Sequence, residues 1–375
     1  MRPKVLTLFP RAVGGGAERL VLDQMRFHTG ADYDYFVVAL RRGKLHDQFA
    51  AHGCYRCLHA GVRFNPLALA RLNRLVRAER IDVLHTHLQE ADFYGYWLKG
   101  LNPGLVWVST RHNADDFRER WFWRTLNAAI TRRTQRVVAV SNSVRDFVGR
   151  YERIPADKLL VVRNGIDLTR FANLPTREAA RAALGVAPDE FVVGIVGRLA
   201  PQKGHKFLFE AAARLVPEIP RLRLLVVGEG QLRGRLERQA RSLGITDRVT
   251  FAGFRAEMGQ VYPAMDVLAV PSLFEGLSLV LVEALVCGRV AVCARTSGLV
   301  DVVTDGQNGI LVGVGDVDAL ARELARVFRG EIDPDMARRA QDAARAEYGL
   351  DTYLGRLARL YQDEAASRDN PDPSR

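Results

Sequence analysis

The sequence contains no long hydrophobic run and few cysteines. None of its apolar stretches reaches the roughly 18 residues that a helix needs to cross a bilayer. The start of the chain, Met1 to Phe9, is too short and then too polar for a secretory signal. From these absences we expect a cytoplasmic protein. The four cysteines fall into two pairs, Cys54 with Cys57 and Cys287 with Cys293.

Cys54 and Cys57 lie between His52 and His59, a spacing that could provide half of a zinc site or a redox pair. No second closely spaced Cys/His pair lies near them in the sequence, so we favour the alternative, a short strand over residues 55–58. The sequence also lacks a Walker-type phosphate loop, zinc-finger spacing, a nucleophile elbow and a tandem repeat. These absences argue against the protein classes that such motifs define.

Positive charge is distributed unevenly along the chain. Residues 1–170 contain 28 Lys and Arg against 16 Asp and Glu, whereas residues 171–375 contain 26 against 27. The net charge of +11 therefore belongs to the first half of the chain. Such asymmetry indicates an anionic partner for that half, which is a membrane surface, a nucleic acid or a phosphorylated substrate.

Strand-like and helix-like segments alternate, which favours parallel α/β sheets. The predicted helices include residues 67–79, 142–151 and 176–184. The predicted strands are residues 5–9, 36–40, 83–85, 106–110, 137–140 and 159–162, then 191–196, 222–227, 249–251, 267–270 and 290–293. The pattern restarts after residue 171, and 375 residues exceed what one hydrophobic core comfortably serves.

We therefore predict two Rossmann-like α/β domains that face each other across a cleft, with a ligand where the carboxyl ends of both sheets meet. The first domain covers residues 1–171 and the second covers residues 172–346. A late amphipathic helix follows within residues 347–366, and residues 367–375 form a polar tail that we expect to be disordered.

The densest chemical pattern is the segment from Glu275 to Glu283. Glu275 follows a strand, and the residues from Leu279 to Val286 are nearly all apolar, so we expect a buried helix. Eight helical residues rise about 12 Å, which places two carboxylates at opposite ends of an elongated ligand. The helix N-terminus between them offers free N–H groups to a diphosphate, which matches a sugar nucleotide. The pattern equally fits an acidic residue before a helix and a core glutamate that has partners.

Arg198 and Lys203 follow another predicted strand. Fixed cations stabilise the charge that develops on a departing nucleoside diphosphate without a metal ion. On their own, two basic residues in a loop are usually a solvated surface. Gly253 and Phe254 form a further strand-end turn.

The first half contributes glycines and histidines at predicted strand ends. Gly15 and Gly16, within a run of three glycines, allow close backbone approach to a ligand at a helix start, or form a plain strand–helix turn. His85, His87 and His112 follow strands and are expected to point into the cleft. His112 is a candidate for hydrogen bonds to a sugar or an acceptor, or it is a structural histidine at a strand end.

Taken in order along the chain, these motifs resemble glycosyltransferase family 4, the retaining group with the GT-B fold. The resemblance spans roughly residues 4–365. The shared motifs are Gly-Gly-Ala-Glu18, His85-x-His87, the strand that ends at His112, Asn164-Gly-Ile-Asp167, Gly197-Arg198 with Lys203-Gly204, Glu275-x7-Glu283, Cys287-Gly288, Ser297-Gly298 and Asp305-Gly306-x-x-Gly309. Two positions depart from the family pattern, Ser278 where relatives often have Gly or Pro and Asp301 where Glu is usual.

The resemblance implies roles for these residues. Arg198 and Lys203 would bind the donor diphosphate, together with backbone N–H groups around Leu277–Leu279. Glu275 would contact hydroxyls of the transferred hexose, and Glu283 would contact the ribose. The final helix would cross back onto the first domain. Retention by front-face attack would require no protein nucleophile, divalent metal or other cofactor.

His112 would lie by the sugar, and Gly15 and Gly16 would approach the donor phosphates or the acceptor. The predicted catalytic residues are His112, Glu275, Arg198 and Lys203. The predicted donor-binding residues are Gly15, Gly16, Arg198, Lys203, Gly253, Phe254, Glu275, Gly276, Leu277, Ser278, Leu279 and Glu283.

The family places the acceptor on the first domain, which carries the excess positive charge. Basic helical segments with Trp and Phe favour anionic membrane surfaces. The basic positions are Arg71, Arg74, Arg77, Arg80, Arg118, Arg120, Arg124, Arg132, Arg133 and Arg136. We therefore expect peripheral attachment to the inner face of the cytoplasmic membrane and a lipid-linked glycan or glycolipid acceptor; the alternative is an arginine-rich surface on a soluble enzyme.

Three other functions compete with a transferase. A nucleic-acid-binding protein is disfavoured because no recognised nucleic-acid motif coincides with the positive charge. A sugar-nucleotide epimerase can share the fold, but it has no need of a basic acceptor surface. A non-catalytic sugar-nucleotide binder is disfavoured because Arg198, Lys203, Glu275 and Glu283 are all present.

Overall fold

The computed structural model describes residues 2–13, 15–61, 64–113 and 121–369. The described chain forms two compact units. The first unit contains the residues up to Gly165 together with the chain from Leu350 onward, and the second is Ile166–Gly349. Predicted residues Arg118 and Arg120, and the glycine at position 14, lie outside the described residues.

The first unit is built on a seven-stranded parallel sheet with the strand order β3-β2-β1-β4-β5-β6-β7. Its strands are β1 (Lys4–Arg11), β2 (Asp34–Arg41), β3 (Tyr55–Cys57), β4 (Val83–His87), β5 (Val106–Arg111), β6 (Arg136–Ala139) and β7 (Leu159–Val161). Its first helices are α1 (Gly16–Phe27), α2 (His46–Ala50), α3 (Pro66–Ala78), α4 (Gln89–Leu101), α5 (Trp121–Arg133) and α6 (Asn142–Glu152). The strand order reverses at β1 and β4, where α/β sheets bind ligands.

The second unit contains a six-stranded parallel sheet with the order β10-β9-β8-β11-β12-β13. Its strands are β8 (Phe191–Val196), β9 (Leu222–Val227), β10 (Val249–Gly253), β11 (Val267–Val270), β12 (Val290–Ala294) and β13 (Ile310–Val312). Its helices are α7 (Arg177–Leu184), α8 (His205–Leu215), α9 (Arg233–Ser242), α10 (Leu279–Val286), α11 (Val317–Phe328) and α12 (Met336–Tyr348). Short 3-10 helices cover Ala156–Lys158, Leu168–Phe171, Pro201–Lys203, Thr246–Arg248, Met258–Gln260 and Tyr262–Ala264.

The last helix, α13 (Leu350–Asp369), packs into the core of the first unit. Its Tyr353, Leu357 and Tyr361 are buried in the cluster that contains Val5 of β1. The predicted return of the final helix to the first domain is therefore confirmed. Tyr348, which we expected to open this helix, instead ends α12, because Gly349 adopts an extended conformation and interrupts the helical backbone.

Local sequence explains most of these boundaries. Asn65 caps α3 by accepting hydrogen bonds from the N–H groups of Leu67 and Ala68, and Thr176 caps α7 in the same way through Ala179. Every predicted strand is present. The structure also contains β13, in a segment that we did not predict as a strand. The α/β prediction with two Rossmann-like sheets is confirmed. The boundary between the two units lies after Gly165 rather than after residue 171. Helix α13 extends to Asp369, three residues into the predicted tail.

Within the ranges that the structure describes, no helix is both long enough and apolar enough to span a membrane.

Candidate active site

Lys203 and Glu275 form an ion pair in the second unit. The Nζ atom of Lys203, which follows β8, lies 2.7 Å from Oε1 of Glu275, which follows β11. The hydroxyl of Ser272 donates a second hydrogen bond to the same oxygen at 2.8 Å. Glu275 is only 6% exposed. The structure therefore brings together two predicted site residues that lie far apart in the sequence.

The backbone around this pair is held by a close approach at Gly204. Gly204 has a φ of +68°, and a Cβ there would lie 1.9 Å from the carbonyl oxygen of Pro271. Beside it, Leu273 donates its N–H to the carbonyl of Gln202, whose side-chain amide donates back to the carbonyl of Phe274. The loop that carries Glu275 is therefore fixed against the turn that carries Lys203.

The predicted helix after this loop is α10, which begins at Leu279. Gly276, Leu277 and Ser278 lead into it and are buried. The first N–H groups of a helix have no partner within the helix, and they carry the positive end of its dipole. The N-terminus of α10 is therefore suited to an anion, as the sequence predicted.

Glu283 lies about one turn along α10 and is half-buried rather than buried. Its Oε2 atom accepts a hydrogen bond of 2.8 Å from the hydroxyl of Tyr262. Burial and the neighbouring Glu283 raise the pKa of Tyr262 well above its ordinary value, so the hydroxyl keeps its proton and remains a donor. Sequence reasoning missed this contact of Glu283, because Tyr262 lies in a short 3-10 helix 21 positions before its partner.

Arg198 follows β8 and is exposed. Gly253 and Phe254 were predicted on a weaker pattern. Gly253 ends β10, which is an edge strand separated from β8 by β9. Phe254 follows it and is exposed. These residues share the carboxyl end of the sheet with Lys203 and Glu275. No described contact joins Phe254 to that ion pair.

In the first unit, three histidines lie together at the ends of β4 and β5. The Nδ1 atom of His87 is 2.9 Å from Nε2 of His112, and their rings stack. His85 is bonded on both sides, to the hydroxyl of Tyr361 and to that of Thr110, each at 2.6 Å. His85 is therefore fully enclosed, contrary to our expectation that it points into a cleft, whereas His112 is partly exposed.

These histidines are held neutral by their surroundings. Burial, followed by the neighbouring His112, lowers the pKa of His85 to about 3. Burial and the charge of Arg111 lower the pKa of His112 to about 4, and burial together with His85 and His112 takes the pKa of His87 well below its usual range. At neutral pH each ring therefore offers one donor and one acceptor.

A buried charge network lies next to this cluster. Arg111 is 1% exposed, and its guanidinium pairs with Asp92 at 2.7 Å and with Glu152 at 3.0 Å. Asp92 also accepts hydrogen bonds from Ser109 and Thr86. Such pairing compensates for the desolvation of the three charges, and the loss of one partner would leave an uncompensated buried charge. No sequence pattern indicated this network, since Arg111, Asp92 and Glu152 come from three separate elements.

Gly15 and Gly16 lie exposed at the N-terminus of α1, as predicted. Gly15 also has a structural role, because a Cβ there would lie 2.6 Å from Oε2 of Glu18. Burial raises the pKa of Glu18, while backbone hydrogen bonds at Glu18 itself and at Gly15 act in the opposite direction. This arrangement is the return contact of a capping box at the first turn of α1.

All four cysteines are free thiols. Over the described part of the chain, no three His, Cys, Asp or Glu side chains cluster in a way that could hold a metal ion.

Two family models match the chain. Residues 176–347 match the family described as Glycosyl transferases group 1, and residues 14–170 match Glycosyltransferase Family 4. The chain belongs to glycosyltransferase family 4. The resemblance drawn from the motifs is confirmed, and the family-4 assignment makes the protein a glycosyltransferase.

Relatives of this family-4 enzyme include two whose names state an activity. The UDP-Gal:alpha-D-GlcNAc-diphosphoundecaprenol alpha-1,3-galactosyltransferase of Escherichia coli is 23% identical over 371 residues, which are 94% of this chain and 95% of the relative. The D-inositol 3-phosphate glycosyltransferase of Mycolicibacterium smegmatis is 36% identical over 220 residues, which are 56% of this chain and 50% of the relative.

Solved structures share the fold of the family-4 enzyme. HepE from Anabaena, in complex with UDP and glucose, has a TM-score of 0.86 at 24% identity, and the match covers 96% of this chain and 100% of HepE. WaaG, described as a glycosyltransferase involved in lipopolysaccharide biosynthesis, has a TM-score of 0.75 at 17% identity, over 95% of this chain and 99% of WaaG. These likenesses confirm the predicted GT-B fold.

Proposed function

We propose that this glycosyltransferase transfers a hexose, with retention, from a UDP- or GDP-sugar to a lipid-linked acceptor in bacterial cell-envelope polysaccharide biosynthesis. The observation that carries the proposal is the arrangement around α10. Lys203 and Glu275 pair before its N-terminus, and Glu283, which accepts a hydrogen bond from Tyr262, lies about one turn along it.

This arrangement provides a group for each part of a sugar nucleotide. Arg198, Lys203 and the N–H groups at the start of α10 offer positive charge to a diphosphate. Glu275 offers acceptor oxygens to hexose hydroxyls, and Glu283 offers them to a ribose. A uridine donor is the first choice, because HepE was solved with UDP and the name of the E. coli relative specifies UDP-Gal.

In the proposed reaction, the bond between C1 of the hexose and the phosphate oxygen breaks while the acceptor oxygen bonds to C1 on the same face. The leaving phosphate oxygen takes the acceptor's proton. Arg198 and Lys203 stabilise the charge on the leaving diphosphate, which is the contribution that a metal ion makes in other transferases. We therefore propose a reaction without a protein nucleophile or a divalent metal. We also propose that His112 contacts the transferred sugar.

The charge distribution supports an anionic, membrane-bound acceptor. The sequence of the first unit contains 31 Lys and Arg against 20 Asp and Glu, whereas that of the second contains 23 of each. The whole net charge of +11 therefore belongs to the unit to which the family assigns the acceptor. A field of this sign concentrates polyprenyl diphosphates and anionic lipids near that unit.

An aromatic surface on α4 and α5 supports peripheral attachment. Trp121 is 78% exposed, Phe122 is 54% exposed and Trp97 is 51% exposed. Phe93 and Trp123 connect the two helices, with ring centroids 6.4 Å apart. Exposed aromatic rings on a basic surface are typical of proteins that insert shallowly into an anionic bilayer.

A groove between α5 and α6 joins this surface to three arginines. The groove has a volume of about 420 Å³, and its lining includes Trp121 together with Arg124, Arg132 and Arg153. Among the carboxylates that the structure describes, none pairs with these three guanidinium groups. We propose that the groove binds the phosphate of an anionic lipid.

A transfer assay tests the proposed activity. Purified enzyme is incubated with UDP-glucose, UDP-galactose or GDP-mannose, with and without a polyprenyl-diphosphate-linked sugar, and the products are separated by chromatography. The proposal expects release of nucleoside diphosphate and a longer lipid-linked glycan only when the acceptor is present, with the anomeric configuration of the donor retained. An altered sugar nucleotide that forms without acceptor would identify an epimerase instead, and an inverted linkage would rule out retention.

A further inference from the structure

His87 and His112 form a hydrogen bond whose direction the surrounding structure determines. The 2.9 Å between Nδ1 of His87 and Nε2 of His112 requires a hydrogen on one of these nitrogens and a lone pair on the other. Two arrangements satisfy the distance: His87 donates to His112, or His112 donates to His87.

The other nitrogen of His87 distinguishes the two arrangements. Nε2 of His87 is buried, and it has no hydrogen-bond partner among the described residues. If His87 accepted from His112, its single proton would sit on Nε2 as a buried N–H without an acceptor. If His87 donates, only a lone pair is left without a partner. Buried N–H groups without an acceptor are rarer in proteins than buried acceptors with an unused lone pair.

We infer that His87 is a positioning residue: it donates from Nδ1 to Nε2 of His112 and thereby fixes the proton of His112 on Nδ1. Because burial and Arg111 keep His112 neutral at physiological pH, His112 has one N–H only, and that N–H is at Nδ1. Among the described residues, Nε2 is the only nitrogen of His112 that forms a hydrogen bond. His112 is partly exposed, so its Nδ1–H is a donor to an oxygen of the substrate.

The chemistry that follows is a constraint on orientation. Donation from His87 holds the His112 ring in one plane, and the stacked contact, with centroids 5.2 Å apart, holds it from one face. The inference that this donor serves the sugar or the acceptor rests on the proposed transferase function, whereas the tautomer itself does not. A fixed donor of this kind acts on the orientation of a bound oxygen more than on overall affinity.

Nuclear magnetic resonance reads the tautomer directly. Two-bond ¹H–¹⁵N spectra of the full-length enzyme distinguish Nδ1–H from Nε2–H rings, and the His112→Gln and His87→Asn variants assign the two signals among the eight histidines. We expect the Nδ1–H pattern for both His87 and His112. An Nε2–H pattern at His112 in the wild-type enzyme would overturn the inference.

Two substitutions at His87 separate positioning from packing. In His87→Asn the side-chain amide keeps an N–H donor close to the place of Nδ1, whereas His87→Leu removes it. We expect His87→Leu to lower kcat about 10-fold with little change in donor KM, and to give a mixture of His112 tautomers. We expect His87→Asn to retain both the wild-type kcat and the single His112 tautomer. Equal kcat in both variants, with the His112 tautomer unchanged, would refute the positioning role.

The spectra of the wild-type enzyme need no activity and no variant. If the leucine variant fails to fold, the wild-type tautomer still decides the direction of the hydrogen bond. If no transfer is detected with any donor, the proposed function fails while the tautomer result stands, so the two failures are distinguishable.

Discussion

The Nζ atom of Lys203 lies 2.7 Å from Oε1 of Glu275, so the cation assigned to the diphosphate already neutralises the carboxylate assigned to the hexose. The two parts of the donor would therefore be bound by one coupled pair rather than by two independent residues. Ser272 donates a hydrogen bond to the same carboxylate oxygen and would keep Glu275 in place if Lys203 turned toward a phosphate.

Lys203→Ala should lower kcat/KM by about 100- to 1,000-fold, since it removes a charge that acts on the leaving diphosphate. It should also lower the free energy of unfolding by about 2 kcal/mol, because Glu275 is left buried with one partner fewer. Steady-state kinetics and urea denaturation measure the two effects. Lys206→Ala, at an exposed lysine of the same segment, is the matched control and should change neither. Near-wild-type kcat/KM in Lys203→Ala would contradict the site assignment.

Tyr262→Phe should weaken binding of the donor and of free UDP about five- to tenfold while kcat stays close to wild type. The substitution removes the hydrogen bond that orients Glu283, and a single hydrogen bond contributes about 1 kcal/mol. Isothermal titration with UDP measures the change. Tyr94→Phe removes a hydroxyl that bonds to the backbone of Asn65 in the other unit, and it should leave the affinity unaltered. The assignment of Glu283 to the ribose fails if both variants bind UDP equally well.

Gly204→Ala should lower the free energy of unfolding by more than the cost of placing an alanine in a left-handed backbone conformation. An alanine at φ near +68° costs roughly 1–2 kcal/mol, and the clash with the carbonyl of Pro271 adds about 2 kcal/mol. Gly244 has the same φ with nothing within 4 Å of its Cβ position, so Gly244→Ala isolates the backbone effect. Denaturation midpoints that agree between the two variants would show that the close approach at Gly204 has no energetic weight.

Stability should fall as the pH is lowered from about 6.5 to about 4, partly because of His205. This ring is buried, and neither of its nitrogens has a partner among the described residues. Burial and the charge of Lys203 lower its pKa to about 4, from an ordinary value of 6.5. As the pH falls, the unfolded chain takes up this proton before the folded chain does. The stability that depends on a neutral His205 is therefore fully present above pH 6.5 and is lost as the pH falls toward 4.

His205→Leu should therefore raise the free energy of unfolding at neutral pH by about 1 kcal/mol and reduce its slope by up to about 1.4 kcal/mol per pH unit between pH 6.5 and 4. Urea denaturation at a series of pH values gives both quantities. The same slope in the variant and the wild-type protein would mean that His205 titrates alike in the folded and unfolded chains. The buried His85 contributes in the same direction and remains in both proteins.

Vesicle flotation tests the groove of the first unit. The triple variant Arg124→Gln, Arg132→Gln and Arg153→Gln should lose most of its binding to phosphatidylglycerol vesicles at low salt, because it removes three charges from the proposed lipid-phosphate site. The matched control replaces the exposed arginines of α9, namely Arg235, Arg238 and Arg241, and should float like the wild type. Equal losses in both triples would indicate a net-charge effect without a site, and no wild-type binding would contradict membrane attachment.

The sequence by itself determined the secondary structure and the chemical class. The alternation of apolar and polar segments depends on neighbours within a few positions, which is why the predicted strands, the capped helices and the two-sheet architecture are present in the structure. The spacing from Glu275 to Glu283 lies within one loop and one helix, so local geometry placed Glu275 before α10 and Glu283 on it.

Only the tertiary structure decided which of these residues touch. Lys203 meets Glu275, and His112 meets His87, because neighbouring parallel strands bring residues that are 72 and 25 positions apart to one sheet edge. The return of α13 places Tyr361 against His85 across 276 positions. No local pattern specifies such contacts, since each depends on strand order and on the exclusion of water from the site. The donor and acceptor roles that we infer for the histidine pair also depend on that burial, since it leaves Nε2 of His87 without a partner among the described residues.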